Sequence, residues 1–393
     1  MNEVSHTAPG RLIIRSVQAY AVSFPVAAAH SVQLGVGRTV KRDAVIVKVT
    51  TECGLTGFGE SHHGRAHTTI AHFINTALRD IVLGQDAWNT TGIWQRVYTR
   101  QLQGMGLGAA CVLAMSGLDM ALWDIRGKAA GLPLYRLLGG ECRPLPAYAG
   151  GVALGWQAPD ALADEAQALA EAGYQAVKLR IGDTPSRDLA RIRAVRERLG
   201  DEAEILTDAM MAYSLDDARR VIPALDDLRV GWLEEPFACD NFGAYRVAGG
   251  FTTRVPIAAG ENHYTRFEFA RLLEDGVVQV FQPDLSKTGG VTEAMRIAAM
   301  VSAWGYKVHP HSSATSINHA ACLHMLAAVD NAGYFEACVS HHNPFRDMFG
   351  TAFSIDGSGH VKPSEGYGLG VDIDEAIFEQ FAFIDGPGYI VKF

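Results

Sequence analysis

Paired cysteines are missing. Cys53, Cys111, Cys142, Cys239, Cys322 and Cys338 are scattered through 393 residues with no Cys-x-x-Cys and no regular spacing. That excludes a disulfide-stapled scaffold and a zinc ribbon, and makes reduced thiols in a cytoplasmic protein the expectation. A surplus of positive charge is missing too. With 34 Lys+Arg against 43 Asp+Glu the formal charge is -9 and the pI about 5.9, so neither nucleic acid nor an anionic membrane is an expected partner. No uncharged apolar run reaches the roughly 18 residues that a membrane span needs. The nearest, GAACVLAMSGLDMALWDI, carries Asp119 and Asp124. VQAYAVSFPVAAAH is apolar, but Pro25 interrupts it and no compact basic segment precedes it, so a strand and loop are expected there and not a leader. A small molecule is the partner class that remains.

What the sequence does have is a rhythm. From about residue 145, short apolar runs (LPAYAGG, AVKLRIG, EILTDAM, GWLEEPF, PIAAGEN, VVQVFQPDLS, YKVHPHSS, GYFEACV) alternate with segments of helical period such as DALADEAQALAEAG and VTEAMRIAAMVSAWG. Strands alternating with helices predict a parallel α/β sheet, either a barrel or a doubly wound open sheet. Polar residues favour the barrel. Lys178, Asp208, Glu234, Glu261, Asp284, His311 and Glu336 fall near the C-terminal ends of seven consecutive runs, 23 to 30 residues apart. In a barrel those ends converge on one mouth. Residues 1 to 140 read as an α+β domain: SVQAYAVSFPV and RDAVIVKVTTECGLTGFGES look like antiparallel strands, and Val112, Met115, Leu118, Leu122 and Ile125 mark one face of a helix.

Asp208, Glu234 and Glu261 offer three oxygen ligands on adjacent strands, a set suited to a hard cation such as Mg2+. Alternation along a strand predicts that Glu234 points into the mouth while Glu235 points to the helix layer and braces it. Lys178 and Arg180 are two apart and share a face, as do His309 and His311. A histidine opposite a buried cation can move protons near neutral pH.

These residues carry a likeness. The chain resembles the enolase superfamily, mandelate racemase subgroup, through KLR, TDAM, WLEEP, GEN, QPDLSKTGGVTEA, PHSS and YFEA in order, with GLDMALWDIRGKAAGLPLYRLLGG as the passage between domains. The resemblance implies a (β/α)7β TIM-type barrel over residues 141–360 and an N-terminal α+β capping domain over 1–140, with 361–393 packing back on that domain. It implies Mg2+ on Asp208, Glu234 and Glu261, and an Asp284–His311 dyad serving as base and acid. Glu336 and Lys178 would hold the substrate carboxylate, and the assembly would be a homo-oligomer. Arg180 stands where many members have a second lysine, and a guanidinium is a poor proton acceptor. That favours one-base chemistry, the dehydration of an aldonate or aldarate to a 2-keto-3-deoxy acid, over two-base racemisation. A lactone cycloisomerase or an epimerase is the alternative within the family; a non-catalytic binding protein and a metal-dependent hydrolase are the alternatives outside it. His30, His62, His63, Arg65 and His309 are the expected substrate contacts.

Overall fold

The computed structural model describes residues 10–105, 108–251, 253–312, 315–347, 353–386 and 388–392. Ile14–Pro25 pairs antiparallel with Lys41–Thr51, which pairs in turn with Thr56–Ser61 through the tight turn at Gly54. Alternation divides the central strand between two cores. Val45, Val47 and Val49 face the helices of the N-terminal domain, while Ala44 and Ile46 join the larger core of the barrel.

The helix Gly108–Ala130 is apolar on all sides, and the protein buries it from both directions. It packs tightly on Thr56–Ser61, where a Cβ at Gly59 would collide with the Gly117 carbonyl. The two aspartates that interrupt its apolar run are ties. Asp119 accepts from Thr292 N (2.8 Å) and Thr292 Oγ1 (2.6 Å), and Asp124 accepts from Phe58 N (3.0 Å), Leu369 N (2.9 Å) and Lys128 Nζ (2.7 Å). One helix thereby holds the N-terminal sheet, a barrel helix and the C-terminal segment.

Among the described residues seven parallel strands follow: Leu145–Gly150, Ala176–Arg180, Glu204–Asp208, Val230–Glu234, Ile257–Ala259, Val278–Phe281 and Phe335–Cys338. The last pairs back on the first, with Phe335 opposite Ala147. On the other side Val308 bridges Phe281 and Ala332, so the sheet curls into an α/β barrel. Helices Pro159–Glu171, Pro185–Leu199, Leu215–Asp227, Phe242–Gly249, Thr265–Asp275, Gly290–Ala303 and Ser316–Leu326 connect the strands.

The interior is layered. Tyr148, Ala176, Leu206, Trp232, Ala258 and Val280 form a buried cluster with Tyr334 against it. Two residues further along the strands come Gly150, Lys178, Asp208, Glu234, Gln282 and Glu336. A period of two lifts each polar residue one layer above an apolar one, onto the C-terminal face.

The C-terminal segment returns to the N-terminal domain. Ile390–Val391 pairs with Gly37–Thr39, Ser23 N donates to Phe381 O (3.0 Å), and Phe378 stacks on Tyr20 at 4.0 Å.

Candidate active site

Asp208 and Glu234 stand in register on adjacent strands, and Glu261 follows the next strand. One oxygen from each lies within 4.8 Å of the others. Lys178 is the cation these groups share: its Nζ lies 2.9 Å from Glu234 Oε1, 3.0 Å from Glu336 Oε1 and 3.8 Å from Asp208 Oδ2. Arg180 Nη1 pairs with Asp208 Oδ2, and its Nη2 donates to Gly151 O at 2.5 Å. Gln282 Nε2 donates to Glu234 Oε2 at 2.7 Å, and Met210 N to Asp208 Oδ1 at 2.8 Å. Asp208 and Glu234 are thus oriented from behind. An all-oxygen set already stabilised by the positive charges of Lys178 and Arg180 fits a hard divalent cation.

Glu235 departs from the expected geometry. Its φ of 36° takes the chain out of strand conformation, so alternation no longer sets its direction. The side chain is buried and accepts from Asn262 N (3.3 Å) and Asn262 Nδ2 (2.7 Å), bracing the turn that carries Glu261 and not the helix layer.

Above this floor lies a cavity of about 470 Å³ whose walls include Glu261, Lys287, His311, Arg180, His62, His63 and Arg65. His311 Nδ1 is 2.6 Å from Asp284 Oδ2, and its Nε2 is 3.1 Å from Glu261 Oε2. Asp284 also accepts from Ser286 N and Ser286 Oγ (2.7 Å each) and from Asn318 Nδ2 (3.2 Å). Glu336 accepts from Gly151 N (3.0 Å) and Ser312 N (3.1 Å) beside Lys178. Ser313, within the PHSS motif, lies outside the described residues.

Two comparisons with sequence families decide the relationship. Residues 161–377 match the enolase C-terminal domain-like family, and residues 16–139 match the mandelate racemase / muconate lactonizing enzyme N-terminal domain. The chain belongs to the mandelate racemase / muconate lactonizing enzyme family. It is 36% identical to a D-galactonate dehydratase of Ralstonia pickettii over 85% of this chain and 89% of that one. It is 32% identical to an arabinonate dehydratase of Saccharolobus solfataricus over 86% and 90%. A solved enolase-superfamily structure from Polaromonas sp. JS666 is 55% identical, covers 97% of this chain and 100% of that one, and has a TM-score of 0.94. A racemase from Streptomyces coelicolor A3(2) with bound magnesium is 28% identical, covers 94% and 100%, and has a TM-score of 0.84. A 3,6-anhydro-D-galactonate cycloisomerase from Zobellia galactanivorans is 28% identical, covers 94% and 99%, and has a TM-score of 0.83.

Charge in this family member is finely balanced. Burial pulls the His311 pKa down, yet Glu261, Glu336 and the bond to Asp284 lift it to about 9. Burial pushes Glu336 up, but Lys178 and then His311 outweigh it and bring it to about 2, so it is ionised. Burial also opposes charge on Lys178, where Glu234 and Glu336 prevail and raise its pKa. Glu235, dominated by burial with Glu261 beside it, rises to about 8.

Of the expected substrate contacts, His62 and Arg65 reach the cavity wall. His63 lies there too; burial, and then the charge of Lys287, lower its pKa to about 3. The His30 ring instead lies 3.8 Å from that of His342, tilted by 40°, outside the set that lines the cavity. His309 lies away from the residues that line the cavity: its ring is 5.4 Å from Trp232, accepts from Tyr334 N (3.1 Å) and covers Gly333, one layer below the floor. Burial lowers its pKa to about 3. Lys287 is a residue that the sequence reading left without a role. It lines the cavity with Nζ 3.4 Å from Glu261 Oε1, and its signal was its place in QPDLSKTGG, three residues after Asp284.

Proposed function

We propose that this protein is a Mg2+-dependent acid-sugar dehydratase that removes the proton next to a carboxylate and then eliminates the β-hydroxyl as water. The observation that carries the reading is the Asp284–His311 pair set against the Asp208, Glu234 and Glu261 cluster at one cavity. The bridge at Val308 supports reading the barrel as (β/α)7β, with 1–140 as the capping domain, 141–360 as the barrel and 361–393 returning to the cap.

Asp208, Glu234 and Glu261 would hold the cation. When bound, it polarises the substrate carboxylate as a Lewis acid and neutralises Glu261, whose charge otherwise keeps the proton on His311. Asp284 accepts from His311 Nδ1–H and so leaves Nε2 facing the cavity. His311 Nε2 takes the α-proton, and the resulting Nε2–H then protonates the departing β-hydroxyl. The enol left behind tautomerises to a 2-keto-3-deoxy acid. Lys178 offsets the negative charge that develops on the enediolate, while Glu336 holds the ammonium in place. Arg180 is engaged with Asp208 and Gly151 and positions the cluster.

Incubation with Mg2+ and a pool of aldonates, aldarates and their lactones tests this reading by the release of a 2-keto acid 18 mass units below its parent (the mass of one water, roughly). A product of unchanged mass would instead support the cycloisomerase or epimerase reading, the first of which is the activity named for the similar Zobellia galactanivorans enzyme.

A further inference from the structure

The cations on the cavity walls are engaged, with one exception. Arg42 donates to the carbonyls of His341 (2.9 Å) and His342 (3.3 Å), Arg180 holds Asp208 and Gly151 O, and Lys287 stands 3.4 Å from Glu261. Arg65 has neither an ion pair nor a hydrogen bond from its guanidinium among the described residues, and lies over the ring of Tyr389 with Cζ 5.8 Å from the centroid. Tyr389 packs in turn on His63, with ring centroids 4.6 Å apart, and His63 on His62 at 4.1 Å. All four line the cavity, so they form one continuous patch of its wall. His62 N donates to Ser286 O (3.0 Å), which seats the patch beside the residue that holds Asp284.

Apart from the Tyr389 ring, the patch presents donors. Gly64 and Arg65 are consecutive left-handed residues (φ 54° and 59°), and their N–H groups return to the two imidazoles: Gly64 N donates to His62 Nδ1 (3.1 Å) and Arg65 N to His63 Nδ1 (3.0 Å). A ring nitrogen that accepts carries no hydrogen, so each neutral ring has its hydrogen on Nε2. Burial lowers the pKa of both rings and keeps them neutral. Neither Nε2 has a partner among the described residues, and neither is among the side-chain atoms sealed in without one, so both are open to a ligand.

Acidic groups do not oppose an anion here. Glu261 belongs to the acidic cluster, and the Asp43 carboxylate is 0% exposed, its Oδ1 held by Ser23 Oγ (2.7 Å) and Lys41 Nζ (3.3 Å). A free guanidinium flanked by two N–H donors matches the charge and the lone pairs of a carboxylate, whereas a hydroxyl would leave the guanidinium charge unpaired.

Resting on the dehydratase reading above, we propose that Arg65, His62 and His63 bind a second carboxylate of the substrate, and that the site thereby takes aldarates in preference to aldonates. Arg65 is the specificity residue, and the two histidines add neutral donors beside it.

The test is kcat and KM for keto-acid release from five- and six-carbon aldarates and the matching aldonates, for the wild type, R65Q and R65K, with thermal unfolding of each. The wild type is expected to favour aldarates by about 10-fold or more in kcat/KM. R65Q should lose about 10-fold or more on aldarates, chiefly through KM, with a smaller loss on aldonates, and R65K, which keeps the charge without the fork, should fall between. A wild type that favours aldonates or shows no preference, or a folded R65Q with unchanged KM for aldarates, overturns this inference and leaves the dehydratase reading standing. No keto acid from any of these acids with the wild type overturns both. Should R65Q not fold, the wild-type preference and R65K decide.

Discussion

His311 Nδ1 stands 2.6 Å from Asp284 Oδ2, and that contact determines which ring nitrogen is left for the cavity. Asp284 is itself fully buried and held by Ser286 and Asn318. The carboxylate therefore fixes ring orientation as well as charge. Replacing His311 with Asn should reduce turnover by about 10²- to 10⁴-fold, the range for loss of a positioned acid or base. The folded protein should be retained, with α-proton exchange lost in D2O. Exchange at the wild-type rate would move the base elsewhere.

Glu234 is fully buried between Lys178, Gln282 and Trp232. Glu234→Ala is expected to weaken Mg2+ binding at least about 10-fold by calorimetry and to abolish Mg2+-dependent turnover. A cooperative thermal transition should survive because Lys178 keeps Glu336 and Asp208 as partners. Undiminished Mg2+ affinity would remove Glu234 from the ligand set.

Glu60 gives a pH prediction away from the acidic cluster. Burial pushes its pKa to about 8 against the opposing effect of a bond from Thr315 Oγ1, with Asp284 adding to the rise. Below about pH 4.5 folded and unfolded chains are both protonated at this group. Between there and pH 8 only the unfolded chain releases the proton, so stability falls by about 1.4 kcal/mol per unit. Glu60→Gln should remove this slope. Thermal midpoints measured from pH 5 to 8 should show the variant gaining on the wild type as pH rises; parallel curves would refute a raised Glu60.

The ends of the barrel strands were legible because strand alternation places one polar residue per strand above an apolar one. Trp232 beneath Glu234 and Leu206 beneath Asp208 are the pattern that the sequence showed as apolar runs ending in acid. Where the backbone leaves strand geometry, alternation misleads. Glu235 turns at φ 36°, and the strand at His309 is reduced to the bridge at Val308. His309 and His311 do share a direction, but one layer separates them. Lys287 was missed for a different reason: it lies in the turn that follows its strand, where alternation carries no signal.

Arg180 makes a prediction about stereochemistry. Its guanidinium is engaged with Asp208 and Gly151 O, and a guanidinium is a poor proton acceptor, so Arg180 supplies no second base. Substrate recovered at partial conversion should retain one configuration at the α-carbon, as read by chiral chromatography. An epimer accumulating alongside product would establish two-base chemistry.

Proton NMR of the protein with Mg2+ in D2O, against aldonates and aldarates, is the most direct measurement of the central claim. The predicted result is loss of the α-proton signal together with resonances of a 2-keto-3-deoxy acid, both abolished in His311→Asn. Exchange or isomerisation without loss of water would contradict dehydration, and product formation that survives His311→Asn would contradict the assigned base.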